Sequence, residues 1–354
     1  LRIDGQNTKQ IRNALNLART LKNKPTLIIG RTVIGTGSPK LAGSSESHGA
    51  PLGVEELAAT KANLGFDPAQ SFFVPPEVRS LCQETVAAKK KAAAAWNEKF
   101  ASFSAGLTPE RRELLSALRN RTVPANILSE LLKAVPAKPT ATRNSGGEIM
   151  QKAAALVPAL VGGSADLNPS TKTYLKGAGD FGAADRAGRN IHYGVRELGM
   201  GMISNGLALT GTAIPFCSTF MVFADYMKPA IRLAALQRLH EIYVFTHDSI
   251  FVGEDGPTHQ PIEQLAMFRS IPGLTTIRPA ESHETAHAWA AALQADGPVV
   301  LCLTRQNLPN LPAEIVAERM DVAKGAYVVS CEKDFELILI GTGSELQAVM
   351  GAAD

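Results

Sequence analysis

The chain has 354 residues, 45% hydrophobic and 19% charged, which accommodates two or three domains with ordinary cores and excludes wholesale disorder. A formal net charge of +3 suits small anionic ligands but leaves no basic footprint for nucleic acid. No apolar run reaches membrane-spanning length, and the four cysteines (Cys82, Cys217, Cys302, Cys331) lie far apart without metal-ligand spacing, so a reducing, cytoplasmic setting is expected rather than a disulfide framework or a zinc site.

Along the chain, Thr8–Leu21 carries Ile11, Leu15 and Ala18 at helical spacing, and Pro25 ends that helix before a buried strand expected at Thr26–Ile29. A glycine-rich turn, Gly35–Ser38, leads into a loop of small polar residues holding His48. Helices are expected over Val54–Leu64 and Glu77–Phe103, the second with Trp96, Phe100 and Phe103 on one side and Lys89–Lys91 on a solvated face. Thr108–Pro139 is helix-rich and punctuated by proline, so residues 68–140 read as a largely helical linker between domains.

From residue 141 the pattern alternates. Strands are expected at Ala159–Gly162, Ile242–Phe245, Thr275–Ile277 and Val299–Leu303. Between them lie helical stretches at Val195–Leu209, Val222–Leu239, Ile262–Ser270 and Glu281–Gln294. Such alternation argues for an α/β fold, a mostly parallel sheet with helices on both faces. Leu337–Ile340, followed by a second GTGS turn and a helix through Glu345–Asp354, reads as the start of another α/β unit.

Two places carry chemistry. Thr246–Pro261 follows a strand and holds three acids, two histidines and two glycine turns, the kind of loop in which open α/β sheets place their ligands. Within it His247, Asp255 and His259 can supply proton transfer, charge and hydrogen bonds. Glu197, in GVRELG, sits among Val195, Leu198, Met200, Met202 and Ile203, where desolvation would raise its pKa and make it a proton donor. Pairing with Arg196 or Arg189 is the competing structural reading.

Six ordered blocks resemble the transketolase family: 31–53 (RTVIGTGSPKLAGSSESHGAPLG), 161–170 (VGGSADLNPS), 191–209 (IHYGVRELGMGMISNGLAL), 218–226 (STFMVFADY), 246–261 (THDSIFVGEDGPTHQP) and 303–309 (LTRQNLP). The resemblance implies a thiamine-diphosphate-binding fold and transfer of a two-carbon ketol unit from a ketose phosphate to an aldose phosphate through a carbanion of thiamine diphosphate. It assigns Glu197 to the cofactor's aminopyrimidine ring and Phe223 to stacking on that ring, with Phe220 and Tyr226 alongside on a helix. Arg143, Ser170, His247 and Arg305 match phosphate-binding positions, where two arginines can each engage a phosphate bidentately. His259 matches a catalytic histidine near the reacting carbonyl, Asp255 a reader of a substrate hydroxyl, and His48 a contact to both diphosphate and substrate. Asp166 falls close to the cofactor.

By the same resemblance, residues 1–67 correspond to the end of the diphosphate-binding domain, 68–140 to the linker, 141–318 to the pyrimidine-binding domain and 319–354 to the start of the C-terminal domain. Both ends read as cut. The family's GDG motif, with a following asparagine that holds Mg2+ or Ca2+, has no match here, so no metal ligand is expected in this chain. The expected partners are sugar phosphates and a second copy in a homodimer with shared active sites, with neither nucleic acid nor membrane. Dihydroxyacetone synthase and deoxyxylulose-phosphate synthase are the enzymatic alternatives, and an inactive transketolase-like dimerisation module is the non-enzymatic one.

Overall fold

A computed structural model describes residues 1–353; Asp354, which the sequence reading places in a final helix, lies outside the described residues. The chain divides into two units, Leu1–Phe103 and Ser104–Asp354. In the first, β1 (Arg2–Asp4) pairs in parallel with β2 (Ile29–Arg31), and α1 (Thr8–Thr20) connects them. The Asn7 side chain starts α1 by accepting from the backbone N–H groups of Lys9 and Gln10. β2 begins three residues later than the expected Thr26–Ile29 strand and is exposed rather than buried, since its register pairs Ile29–Arg31 with the three residues of β1, a largely exposed two-stranded ribbon.

The first GTGS corner is fixed by α2 (Val54–Asn63), whose buried Glu56 accepts from Ser38 Oγ and, at 2.8 Å, from the backbone N–H of Lys40. α3 (Pro76–Ala105) runs 30 residues. On it Trp96 and Phe100 stack 5.2 Å apart, and Phe103 follows 6.4 Å from Phe100, the single-sided aromatic row the spacing predicts.

The second unit opens with α4 (Pro109–Asn120), α5 (Ile127–Leu132) and α6 (Thr142–Leu156). Then come β3 (Leu160–Ser164), the single turn α7 (Asn168–Thr171), β4 (Asn190–His192), α8 (Glu197–Leu209) and β5 (Ile214–Phe220). A 3-10 turn, Met221–Tyr226, leads to α9 (Lys228–Gln237), β6 (Ile242–Thr246), α10 (Gln264–Arg269), β7 (Thr275–Ile277), α11 (Ser282–Gln294) and β8 (Val299–Leu303). Two short helices, α12 (Ala313–Glu318) and α13 (Leu346–Ala353), complete it.

All six strands from β3 to β8 are parallel, in the order β4-β3-β5-β6-β8-β7. The order reverses at β3, where open α/β sheets form a crevice beyond their strand ends. Alternate residues feed two cores. Phe216, Ile242, Val244 and Leu301 pack with Ile149 and Trp289 under α6 and α11. Cys217, Tyr243, Phe245 and Val300 pack with Met200, Ile231 and Phe268 under α8, α9 and α10. Both faces are therefore apolar, as a buried parallel sheet requires.

β3 approaches its neighbours closely. A Cβ on Gly162 would lie 1.8 Å from the Phe216 carbonyl oxygen, and one on Gly163 1.9 Å from that of Ile191. Only glycine permits that approach.

Three expectations need correction. β4 and β5 were not expected from the sequence pattern. Val222–Leu239 is not one helix but the 3-10 turn followed by α9. Leu337–Ile340 forms no strand; its four side chains are exposed and have no neighbouring strand to pair with. The following GTGS turn instead rests on Arg278, which donates to Asp248 Oδ2 (2.6 Å) and to the Thr342 carbonyl (2.9 Å) and pairs with Glu345. All four cysteines are free: Cys82 and Cys331 are exposed, whereas Cys217 and Cys302 are buried with their thiols pushed up by burial.

Beneath α8 lies a buried polar seam. Glu241 is fully buried before β6, its Oε1 accepts from the Cys217 thiol at 3.5 Å, and its Oε2 has no partner. Burial pushes the Glu241 carboxyl up to about 8 from an ordinary 4.5. Between these values the folded chain holds a proton that the unfolded chain releases, so stability falls as pH rises. Glu241→Gln should remove that slope: its advantage in unfolding free energy over the wild type, read from urea melts, should grow between about pH 5 and 8, by at most about 1.4 kcal/mol per pH unit, and then level off.

Candidate active site

Four strands deliver the site from their carboxyl ends: Asp166 and Ser170 follow β3, Phe220 ends β5, His247 follows β6, and Arg305 follows β8. Two Thr-Arg pairs hold the cationic part. The backbone N–H of Thr142 donates to Thr304 Oγ1 at 3.0 Å, and that of Thr304 donates to Thr142 Oγ1 at 2.7 Å. The two hydroxyls are 3.1 Å apart, and the N–H of Arg143 donates to the Thr304 carbonyl at 3.3 Å. Both threonines are fully buried. Reciprocal bonds thus fix the start of α6 against the end of β8, and the next residue of each pair is an arginine.

Arg143 Nη1 donates to the Ser170 carbonyl at 3.0 Å and lies 3.3 Å from His247 Nε2. Because a guanidinium only donates, Nε2 accepts and the imidazole proton sits on Nδ1, 2.9 Å from Thr246 Oγ1. Burial, then Arg143, Arg305 and His259, push His247 down to about 3, so it is neutral at physiological pH. His247 also adopts a left-handed backbone (φ 60°), uncommon for a residue with a Cβ. Burial and the nearby Arg305 lower the Arg143 pKa, while Asp255 opposes them. Arg143 Nε is buried without a partner. Arg305 Nη2 donates to Glu254 Oε1 at 2.8 Å.

Beside this cationic end stands a ring platform. Phe220 stacks on His247 (centroids 3.7 Å) and on Phe223 (6.0 Å); Phe223 continues to Tyr226 (6.2 Å) and meets the edge of His259 (5.3 Å). The rings do not lie on an α-helix as expected. Phe220 closes β5 and the others sit on the Met221–Tyr226 3-10 turn, whose three-residue period aligns positions 220, 223 and 226. α8 packs on that turn, and Met200 shares a buried cluster with Met221, Ala224 and the following Met227. Its first residue, Glu197, is 9% exposed and bonds neither Arg196 nor Arg189. Those arginines donate instead to the carbonyls of Tyr193 and of Ala154, Val157 and Pro158. The Glu197 carboxylate makes no hydrogen bond among the described residues.

Residues 138–310 match the family model described as the transketolase pyrimidine binding domain, and residues 1–124 the model described as the transketolase thiamine diphosphate binding domain. The chain belongs to the transketolase family. Transketolase from Geobacillus stearothermophilus is 46% identical over 99% of this chain and 53% of its own length, and that from Bacillus subtilis is 46% identical over 97% and 52%. Among solved structures, transketolase from Leishmania mexicana superposes with a TM-score of 0.89 at 37% identity, covering 100% of this chain and 52% of its own. A Pichia stipitis transketolase complex with sedoheptulose 7-phosphate superposes with a TM-score of 0.86 at 38% identity, covering 99% and 53%. The chain therefore spans about half the length of the curated relatives it matches.

Set against transketolase expectations, Arg143, Ser170, His247, Asp255, His259 and Arg305 come together with Phe220, Phe223 and Tyr226. Ser170 contributes its carbonyl; its hydroxyl makes no hydrogen bond among the described residues. Asp166 is exposed just beyond β3 in a left-handed conformation (φ 63°). His48 belongs to the first unit, exposed at the C-cap of the turn Ser45–Ser47. Sequence reasoning missed the threonine clasp, although the Thr-Arg pair at 142–143 and again at 304–305 was a visible signal, and it missed Glu254.

The Phe220–Phe223–Tyr226 rings offer a stacking surface for a planar heteroaromatic ring, and the unpartnered Glu197 carboxylate can accept a ring or amino N–H. The residues present therefore suit the pyrimidine half of thiamine diphosphate. Among the described residues no group of three or more His, Cys, Asp and Glu side chains is placed to hold a metal ion.

Removing the clasp tests its role. Thr304→Val should cost about 1–3 kcal/mol in urea unfolding, since it leaves the buried Thr142 N–H unpaired, and should weaken anion binding at the arginines. In NMR, the His247 ring should not titrate between pH 5 and 8, and Arg305→Gln should raise its pKa toward the ordinary histidine value.

Proposed function

We propose that this chain supplies the pyrimidine-binding half of a transketolase centre, for two-carbon ketol transfer from a ketose phosphate of the xylulose 5-phosphate type to an aldose phosphate of the ribose 5-phosphate type. The observation that carries this reading is the convergence of Arg143, His247 and Arg305 at one end of the Phe220–Phe223–His259 ring cluster. A phosphate-binding end thereby lies next to a ring-binding end. The Pichia stipitis relatives in complex with xylulose 5-phosphate and sedoheptulose 7-phosphate support the substrate class.

Thiamine diphosphate, when bound, supplies the nucleophilic carbon that carries the two-carbon unit. Glu197 accepts a hydrogen bond from its aminopyrimidine ring and so fixes the ring's tautomer, while Phe223 holds the ring by stacking. Thr258 Oγ1 lies 2.8 Å from His259 Nδ1 and orients the imidazole, which leaves Nε2 to bond and exchange protons with the substrate's oxygens. Asp255 reads a substrate hydroxyl. Neutral His247 donates no charge; it braces Arg143 and accepts from it. Two guanidiniums then clamp the phosphate, fixing the distance from the substrate's anionic end to its carbonyl.

The apolar face of α8 supports a homodimer. Leu198, Met202, Ile203 and Leu209 are exposed on α8, and Val195 is exposed just before it. A second copy covering this face would bring its own residues 1–67, His48 among them, to Glu197. The cellular place we propose is the cytoplasm, within the pentose phosphate pathway.

The test is a coupled ketol-transfer assay with xylulose 5-phosphate, ribose 5-phosphate, thiamine diphosphate and Mg2+. It is run on the chain alone and with an added diphosphate domain from a full-length relative. Turnover is expected with the added domain, falling at least about 100-fold in Glu197→Gln. Turnover that survives this substitution unchanged would overturn the role given to Glu197.

A further inference from the structure

One acid in the substrate loop faces the phosphate arginines without a role in the reading above. Glu254 lies in the 3-10 turn Gly253–Asp255, and its Oε1 accepts from Arg305 Nη2 at 2.8 Å. The pair is unevenly placed: the glutamate side chain is 78% exposed, whereas the arginine side chain is 32% exposed. Gly253, which begins the turn, and Gly256, which follows it, have φ of 78° and 74°. The glutamate can therefore leave Arg305 for water at little desolvation cost. The arginine remains half-buried beside a second cation, Arg143, and a histidine that carries no charge.

Arg143 and Arg305 repel each other, Asp255 offsets part of that at Arg143, and neutral His247 beside them adds no negative charge. A carboxylate on one of them relieves that repulsion, and a phosphoryl dianion bridging both relieves it more. Other ligands compete differently. A hydroxyl or a neutral sugar offers no charge to displace the carboxylate, and a small monoanion exchanges one charge for another. Only a ligand with two negative charges and several acceptor oxygens gains clearly by replacing it.

We propose that Glu254 is an internal counter-ion, occupying Arg305 until a phosphoryl group displaces it, and that this exchange sets how strongly the site selects phosphorylated over neutral sugars. The proposal rests on the reading of Arg143 and Arg305 as phosphate ligands. Glu254 is thus a specificity-determining residue that acts through Arg305.

The experiment is an NMR titration of the 15N-labelled chain with inorganic phosphate, followed at the His247 ring and arginine side-chain signals. Four chains are compared with the wild type: Glu254→Gln, Arg305→Gln, the double variant, and Glu263→Gln, which removes an exposed charge that makes no hydrogen bond or ion pair with Arg305. An exposed pair is worth under about 1 kcal/mol, so Glu254→Gln should bind phosphate about two- to fivefold more tightly. Glu263→Gln should match the wild type, and Arg305→Gln should weaken binding and erase the effect of Glu254→Gln. Equal or weaker binding by Glu254→Gln, with Arg305→Gln still impaired, overturns the counter-ion and leaves the phosphate site standing. An equal gain in Glu263→Gln also overturns it, since the effect would then belong to the general field. Phosphate that perturbs neither wild type nor Glu254→Gln, or that binds Arg305→Gln undiminished, overturns the phosphate-site reading and the counter-ion with it.

Discussion

The reciprocal bonds between Thr142 and Thr304 are the constraint on which the site depends. They join residues 162 positions apart, at the start of α6 and the end of β8. Each threonine uses both its backbone N–H and its hydroxyl, so neither can shift without stranding a buried polar group. The arginine that follows each one inherits that fixed position. Long cationic side chains ordinarily lose rotamer freedom on binding; here their backbones are already set before any anion arrives. The left-handed turn at His247 then brings an imidazole alongside Arg143, and Phe220 presses against its face.

Electrostatics follow from that placement rather than from residue type. A histidine in water is partly protonated near neutrality. Between two guanidiniums and largely out of water, His247 is driven down to about 3 and serves as an acceptor. The site thus concentrates positive charge on the arginines alone, where it has direction and bidentate geometry. Glu241 shows the same physics with the opposite sign: an acid taken out of water without a cation keeps its proton.

Much of this was legible in the sequence, and what escaped has specific causes. β7 and β8 match their expected ranges because their apolar runs are short and bounded by turns. β5 escaped because Ile214–Phe220 contains Pro215 and two polar residues, Ser218 and Thr219, which read as a breaker and a loop. Pro215 is tolerated because pairing with β6 begins only at Phe216. Leu337–Ile340 shows the converse: β propensity without a partner strand makes no strand. Within the site, the family blocks located Arg305, the histidines and the rings, and the wider resemblance supplied Arg143. They held no information on which hydroxyl clasps which N–H, or on the carboxylate resting on Arg305. Those are consequences of tertiary proximity between distant segments. The aromatic spacing of three was visible, but a period of 3.0 and one of 3.6 cannot be told apart over seven residues.

The four thiols make a built-in clock for the sheet. Cys82 and Cys331 meet solvent, whereas Cys217 lies on β5 and Cys302 on β8, with β6 between them. An alkylating reagent added to the native chain would mark two sulfurs at once. The other two lie across the middle of the sheet and become reactive only when its central strands part. The delay between the two labelling phases measures how often the platform that carries the arginines and rings comes open, without any probe being introduced.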